Sequence, residues 1–276
     1  GGSFLYKEPR IEAGAFDILM KIPTAYAGVG VENDVHETHL TLMKKSSVVA
    51  VRTQQGVETL SVKGVWSICT PDIVHLIPVH RHEKTSKSLL FVPNVETIPM
   101  WNAPSWSILA WERFKNETAQ FLDERLEHGW KLSFLSMCKN ARMNDLWAAI
   151  EIVSKMTRRS TNFEMIQSTE LPLEEVLSHF ARSSVVLSQR YHGLVLAEMV
   201  DTPSVSIHHH DKLKKIAPFR GEKVPYYELS KRPLHEAVDS LSSKSLDPVE
   251  IDFSVLRNCF DQFLREVRDG QVRRNS

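Results

Sequence analysis

Apolar residues fall in short runs separated by amphipathic stretches, and the two kinds alternate along the chain. In the first part, Ala25 to Gly30 reads as a strand, Val35 to Lys45 as a helix and Ser47 to Arg52 as a strand. Gln54 to Leu60 then reads as a helix and Val65 to Cys69 as a strand. This is the rhythm of β-α-β units in a parallel sheet. It breaks between Pro78 and Ser88, where His80, Arg81, His82, Glu83 and Lys84 crowd together. A solvated linker is expected there, because the carboxylates and cysteines that would complete a metal site are not spaced nearby.

Beyond the linker the rhythm is clearer. Strands are expected at Ser88 to Val92, Lys131 to Leu135, Phe163 to Ile166, Val185 to Gln189 and Ser204 to Ile207. Helices are expected near Ser107 to His128, Asn144 to Met156, Leu173 to Ala181 and Tyr191 to Val200. Five strands separated by helices make a doubly wound, Rossmann-like domain. A last helix, Asp252 to Val267, carries Leu256, Cys259, Phe260, Phe263, Leu264 and Val267 on one face. It is expected to pack on the sheet or to cross to the first domain. The division is therefore an α/β chain with an N-terminal Rossmann-like domain over 1–84 and a C-terminal one over 85–276.

Composition narrows the partners. The chain has 276 residues, 42% hydrophobic and 25% charged, enough to bury two cores. Lysine plus arginine and aspartate plus glutamate number 34 each, so no overall field favours nucleic acid or an anionic membrane. Any anion must be held locally. Cys69, Cys138 and Cys259 are odd in number and widely spaced, which suggests neither a disulfide framework nor a metal cluster and fits a reducing cytoplasm. No stretch reaches the roughly 18 apolar residues that a membrane span requires. The opening Gly1-Gly2-Ser3-Phe4-Leu5 reads like a strand-to-helix turn inside a domain, so the first domain is expected to be incomplete at its start.

In an open parallel sheet, ligands bind beyond the carboxyl ends of the strands, and that is where the chemistry is sought. The strand Val185-Val186-Leu187 runs through Ser188-Gln189 into Arg190-Tyr191-His192-Gly193 and then an almost wholly apolar helix. A guanidinium and an imidazole thus meet at the N-terminus of a buried helix, where exposed backbone N–H groups favour an anion. Arg190 could instead pair with a carboxylate, and His192 could serve as a cap. Gly193 admits either a ligand approaching the backbone or a helix packed tightly on its strand.

The next strand ends in His208-His209-His210-Asp211-Lys212, and Lys212 could meet the second charge of an anion. Adjacent strand residues point to opposite faces, so the three histidines cannot ligate one ion and no metal is expected. In the first part, Arg52 follows an apolar strand. Asp72 after Thr70-Pro71 could bind an acceptor hydroxyl or cap a turn. Trp101, Trp106 and Tyr226 could stack on a sugar or simply pack.

Together, Gly1-Gly2-Ser3, Val51-Arg52-Thr53, Arg190-Tyr191-His192-Gly193-Leu194, Pro203-Ser204-Val205-Ser206-Ile207 and Asp211-Lys212 resemble the pattern of the polysaccharide pyruvyltransferase family. The resemblance covers nearly the whole chain and is most specific between Leu173 and Lys215. Thr53 departs from it, since many members carry an acid there. The resemblance implies a fold like that of GT-B glycosyltransferases, two Rossmann-like domains facing a cleft. It also implies phosphoenolpyruvate as donor, with no further cofactor, and a ketal-linked pyruvate on a saccharide of a capsule, exopolysaccharide or cell-wall precursor.

Phosphoenolpyruvate carries a phosphate and a carboxylate, and Arg190, Arg52 and Lys212 supply the cations they need, with Tyr191 and Gly193 lining the same turn. Ketal formation also needs a group that moves protons near neutrality, and His192 is the candidate, acting as an acid once the donor dianion is bound. Asp72 and His209 are the candidates for the acceptor. Two other readings compete: a GT-B glycosyltransferase that uses a nucleotide sugar, and a sugar-binding relative without activity.

Overall fold

The structure, a computed structural model, describes residues 13–31, 35–79, 83–99, 104–139, 144–157, 163–209, 213, 221–227, 229, 231–242 and 252–274. Its contacts divide the chain into two compact units. One comprises residues 1–77 and 249–276, the other residues 78–248.

In the first unit, α1 (Ala13–Leu19) precedes β1 (Ala25–Val29), α2 (Glu37–Lys45), β2 (Val48–Val51), α3 (Gln54–Val62) and β3 (Ile68–Cys69). The three strands form a parallel sheet in the order β1-β2-β3. All four residues of β2 are buried, as a central parallel strand requires. Val49 and Val51 face a core with Leu40, Met43 and Leu60, while Val48 and Ala50 face Phe253 and Leu256 of the C-terminal helix. The strand expected over Val65 to Cys69 is cut to its last two residues. Val65 packs into the core, but Trp66 is left exposed, so the segment leading into β3 is not sheet. Gly28 takes a φ of 61° and the β1–β2 register shifts between Tyr26 and Val29, which bends the end of β1.

The second unit holds β4 (Ser88–Val92), α4 (Ser105–Glu127), β5 (Lys131–Ser136), α5 (Asp145–Val153), β6 (Phe163–Gln167) and α6 (Leu173–Arg182). It continues with β7 (Val185–Ser188), α7 (Tyr191–Met199), β8 (Ser204–His208), β9 (Glu222–Pro225) and α8 (Lys231–Ser242). A final helix, α9 (Ser254–Arg274), carries Phe253 and Leu256 back onto β2 of the first unit's sheet. Among the described residues the sheet of the second unit has six parallel strands, where five are expected, in the order β6-β5-β4-β7-β8-β9. The sixth, β9, is a short edge strand whose Glu222 and Lys223 interrupt any apolar run, so its sequence carries little strand signal.

Two layers of apolar side chains hold this unit together. Phe91 of β4 and Phe134 of β5 are fully buried with ring centroids 5.9 Å apart, and Phe114 and Phe121 of α4 close over them. Truncating either strand phenylalanine to alanine should cost about 3–5 kcal/mol. The strand order places a topological switch point between β4 and β7: the chain runs outward from β4 through β5 to β6, then returns to β7 on the other side. Among the described residues, no helix is long and apolar enough to cross a membrane.

Candidate functional site

At the switch point, β7 ends in Ser188 and α7 begins at Tyr191. The turn is closed by one side chain: the Ser188 hydroxyl accepts from the Arg190 N–H at 3.1 Å and donates to the Arg190 carbonyl at 2.9 Å. The middle of α7 is apolar and buried through Leu194, Val195, Leu196 and Ala197, so its N-terminus is pinned where the sheet ends. A β-carbon on Gly193 would fall on the Ser188 hydroxyl and lie 3.2 Å from Val92 Cγ1. Close packing of helix on strand thus accounts for the glycine.

Arg190 is the centre of the site, and it is already partnered. Its Nε donates to Asp145 Oδ2 at 3.2 Å and its Nη2 to Asp145 Oδ1 at 2.5 Å, a bidentate pair. Asp145 opens α5 behind the cap Asn144, whose side chain accepts from the Leu146 N–H at 2.9 Å. The Asp145 carboxylate is fully buried and also accepts from two backbone amides, Val95 after β4 at 3.0 Å and Met137 after β5 at 3.1 Å. One carboxylate therefore ties together the ends of β5, β4 and β7.

A second carboxylate stands on the other side of the guanidinium. Glu96 Oε1 lies 3.6 Å from Arg190 Nη1, and the Glu96 side chain is 41% exposed. Burial alone would lower the pKa of Arg190, but the hydrogen bonds and charge of Asp145, with that of Glu96, hold it above its ordinary value. Burial, and then Asp145, push the pKa of the nearby Cys138 thiol up.

Asn94, buried after β4, organises the remaining groups. Its N–H donates to Gln189 Oε1 at 3.0 Å, and its Oδ1 accepts from the Glu96 N–H at 2.9 Å. Its Nδ2 lies 3.3 Å from Glu96 Oε2 and 3.0 Å from His209 Nε2. His209 in turn packs edge-on against Tyr226, which is buried. His192 is half-buried in the first turn of α7 and meets the Tyr191 ring edge-on at 5.4 Å. Trp106 is exposed, with its ring 5.9 Å from that of Tyr227.

The first unit repeats the device. Arg52 follows β2, and its Nη1 donates to Asp72 Oδ2 at 2.9 Å, both side chains being buried. Asp72 Oδ1 accepts from the Val74 N–H at 3.2 Å and caps the 3-10 turn Ile73–Leu76. Of the two roles open to Asp72, the structure shows the cap, joined to an ion pair. Thr53 caps α3 by accepting from the Gly56 N–H at 3.1 Å, a role that an aspartate fills equally well. Its departure from the family pattern therefore leaves the placement of Arg52 intact.

Thus Arg190, Tyr191, His192, Gly193 and His209 gather at the strand ends of the second unit, and Arg52 and Asp72 at those of the first. Lys212, Asp211, His210, Trp101, the linker residues His80 to His82 and the opening Gly1-Gly2-Ser3 lie outside the described residues. Asp145, Glu96 and Asn94 are not singled out by sequence reasoning. The available signal was indirect: an arginine at a buried strand end calls for a carboxylate, and Asn144-Asp145 opens the helix that follows β5.

The parallel sheets and their strand order give a GT-B-like fold of Rossmann-like units. The UDP-GlcNAc 2-epimerase of Methanocaldococcus jannaschii superposes with a TM-score of 0.58 at 13% identity, over 84% of this chain and 67% of that one. The UDP-GlcNAc 2-epimerase of Neisseria meningitidis gives 0.52 at 10% identity, over 90% and 71%. A UDP-forming trehalose-phosphate synthase of Burkholderia xenovorans gives 0.52 at 12% identity, over 92% and 70%. No curated protein matches the chain in sequence. Residues 1–211 match the family described as Polysaccharide pyruvyl transferase, and the chain belongs to that family.

Proposed function

We propose that the protein transfers pyruvate from phosphoenolpyruvate to two hydroxyls of a saccharide, forming a ketal and releasing phosphate. The observation that carries this reading is Arg190, fixed at the switch point beside the N-terminus of α7 with His192 in its first turn, in a chain of this family.

The reaction assigns each group a task. A proton delivered to the methylene carbon makes C2 electrophilic; one sugar hydroxyl adds there and loses its proton. The C2–O bond to phosphate then breaks, which releases phosphate and carries off its electron pair, and the second hydroxyl adds at C2 and gives up its proton to close the ketal. His192 supplies the first proton, and the guanidinium of Arg190 with the first-turn amides of α7 holds an anionic end of the donor. The family resemblance assigns Arg52 and Lys212 to the donor's other charge. His209 follows β8 at a strand end and is the candidate for receiving an acceptor hydroxyl. Three cysteines without disulfides fit a cytoplasmic reaction.

Thermal-shift titration tests the donor, since a ligand that binds only the folded state raises Tm. Phosphoenolpyruvate should raise the Tm of the wild type and of His192→Gln, while only the wild type releases phosphate with acceptor present. A shift with UDP-GlcNAc and none with phosphoenolpyruvate would replace this reading by a nucleotide-sugar transferase.

A further inference from the structure

Arg190 faces one carboxylate that cannot move and one that can. Asp145 is fully buried and bound by two amides besides the guanidinium, with its closest contact to Arg190 at 2.5 Å. Glu96 is 41% exposed and stands at 3.6 Å, beyond hydrogen-bond range. One positive charge thus meets two negative ones, and an incoming anion gains nothing from Arg190 while both stay. A site built to receive an anion there must first release one of them.

We propose that Glu96 is the internal occupant of the anion site on Arg190, exchanged for an anionic group of the ligand, while Asp145 is the positioning residue that holds the guanidinium through the exchange. This rests on the donor reading above. Glu96 is equipped for the move. Its N–H is fixed by Asn94 Oδ1 at 2.9 Å, so the 3-10 turn Val95–Thr97 stays in place. Its Oε2 lies 3.3 Å from Asn94 Nδ2, so the carboxylate keeps a partner when it leaves the guanidinium. The Nη1 edge it vacates is the part of Arg190 not engaged by Asp145. Glu96 and Arg190 also straddle the switch point, following β4 and β7.

The two carboxylates should respond in opposite directions. A field effect alone predicts that removing either negative charge tightens anion binding. Exchange and positioning predict that Glu96→Gln tightens binding, by about fivefold for a partly exposed pair. They predict that Asp145→Asn weakens it, by roughly tenfold or more, because the guanidinium loses its fixed orientation.

The experiment is calorimetric titration of wild type, Glu96→Gln and Asp145→Asn with phosphoenolpyruvate and with inorganic phosphate, foldedness being checked by circular dichroism. Tighter binding in Glu96→Gln with weaker binding in Asp145→Asn supports the proposal. Binding unchanged or weakened in Glu96→Gln, with phosphoenolpyruvate still bound by the wild type, overturns the exchange and leaves the donor reading standing. Tighter binding in both variants reduces the effect to a field and overturns the role of Asp145. Binding of neither anion by wild type or Glu96→Gln overturns both proposals. If Asp145→Asn does not fold, Glu96→Gln decides the exchange alone.

Discussion

Gly193 rests on Ser188 so closely that a β-carbon would meet the serine hydroxyl and lie 3.2 Å from its Cβ. Ser188 is not free to yield, because that hydroxyl binds both the N–H and the carbonyl of Arg190. Gly193→Ala should therefore destabilise the protein by about 1–3 kcal/mol. Since the clash and the turn share one side chain, its cost and that of Ser188→Ala should add to less than their sum in a denaturation cycle. Full additivity would mean that α7 does not sit on Ser188.

Removing the guanidinium from Arg190 strands a buried carboxylate. Arg190→Ala should lower stability by about 3–5 kcal/mol, the usual cost of breaking a buried pair from one side. The double variant Arg190→Ala with Asp145→Ala should be less damaged than the sum of the singles. Urea denaturation midpoints of the four proteins measure this directly.

Gly30 leaves room for Arg52: a β-carbon there would stand 2.5 Å from Nη2 and 3.5 Å from Cζ. The obstacle is the end of a side chain held in a buried pair with Asp72, so Arg52 gives way only by loosening that pair. Gly30→Ala should thus lower stability by about 1–3 kcal/mol. Phosphate release from phosphoenolpyruvate should fall by roughly tenfold or more if Arg52 has to stay where Asp72 holds it. Equal losses in stability and turnover would count against a placed role for Arg52.

His39 of α2 is buried, and burial, then the neighbouring His36, lowers its pKa. Burial likewise lowers that of His75, with Asp72 opposing. A folded pKa below the unfolded value means that the unfolded chain takes up more protons, so stability rises with pH. The contribution is complete above the unfolded value of about 6.5 and is lost as the pH falls from there toward the folded value. His39→Phe should flatten the loss of stability as the pH falls below about 6.5. An unchanged slope in urea melts across that range would show that His39 titrates alike in both states.

Much of the fold is legible in the sequence. The apolar run Ser88–Val92 marks β4 at both ends, and the period of 3.6 residues in α6 and α9 is plain, because burial on one face writes itself into composition. β9 is not legible, since an edge strand four residues long with two charges need not look buried. The candidate site is legible only in part. Arg190, His192 and Gly193 lie together in sequence, where one strand becomes one helix. Asp145 is 45 residues from Arg190, and a carboxylate at a helix start has local explanations enough that nothing in its neighbourhood reveals a distant partner. Asn94 stands 115 residues from His209 for the same reason.

The knot at Asp145 also bears on the order in which the protein is made. It joins segments near Val95, Met137 and Arg190, which are far apart in sequence, so it cannot close until all three have been made. A nascent chain that has delivered β4, β5 and α5 still holds an aspartate without its arginine, and the guanidinium arrives only with β7. On the reading proposed above, the ability to take up an anion emerges late, when the middle of the sheet has closed, and ligand binding would mark completed assembly rather than collapse.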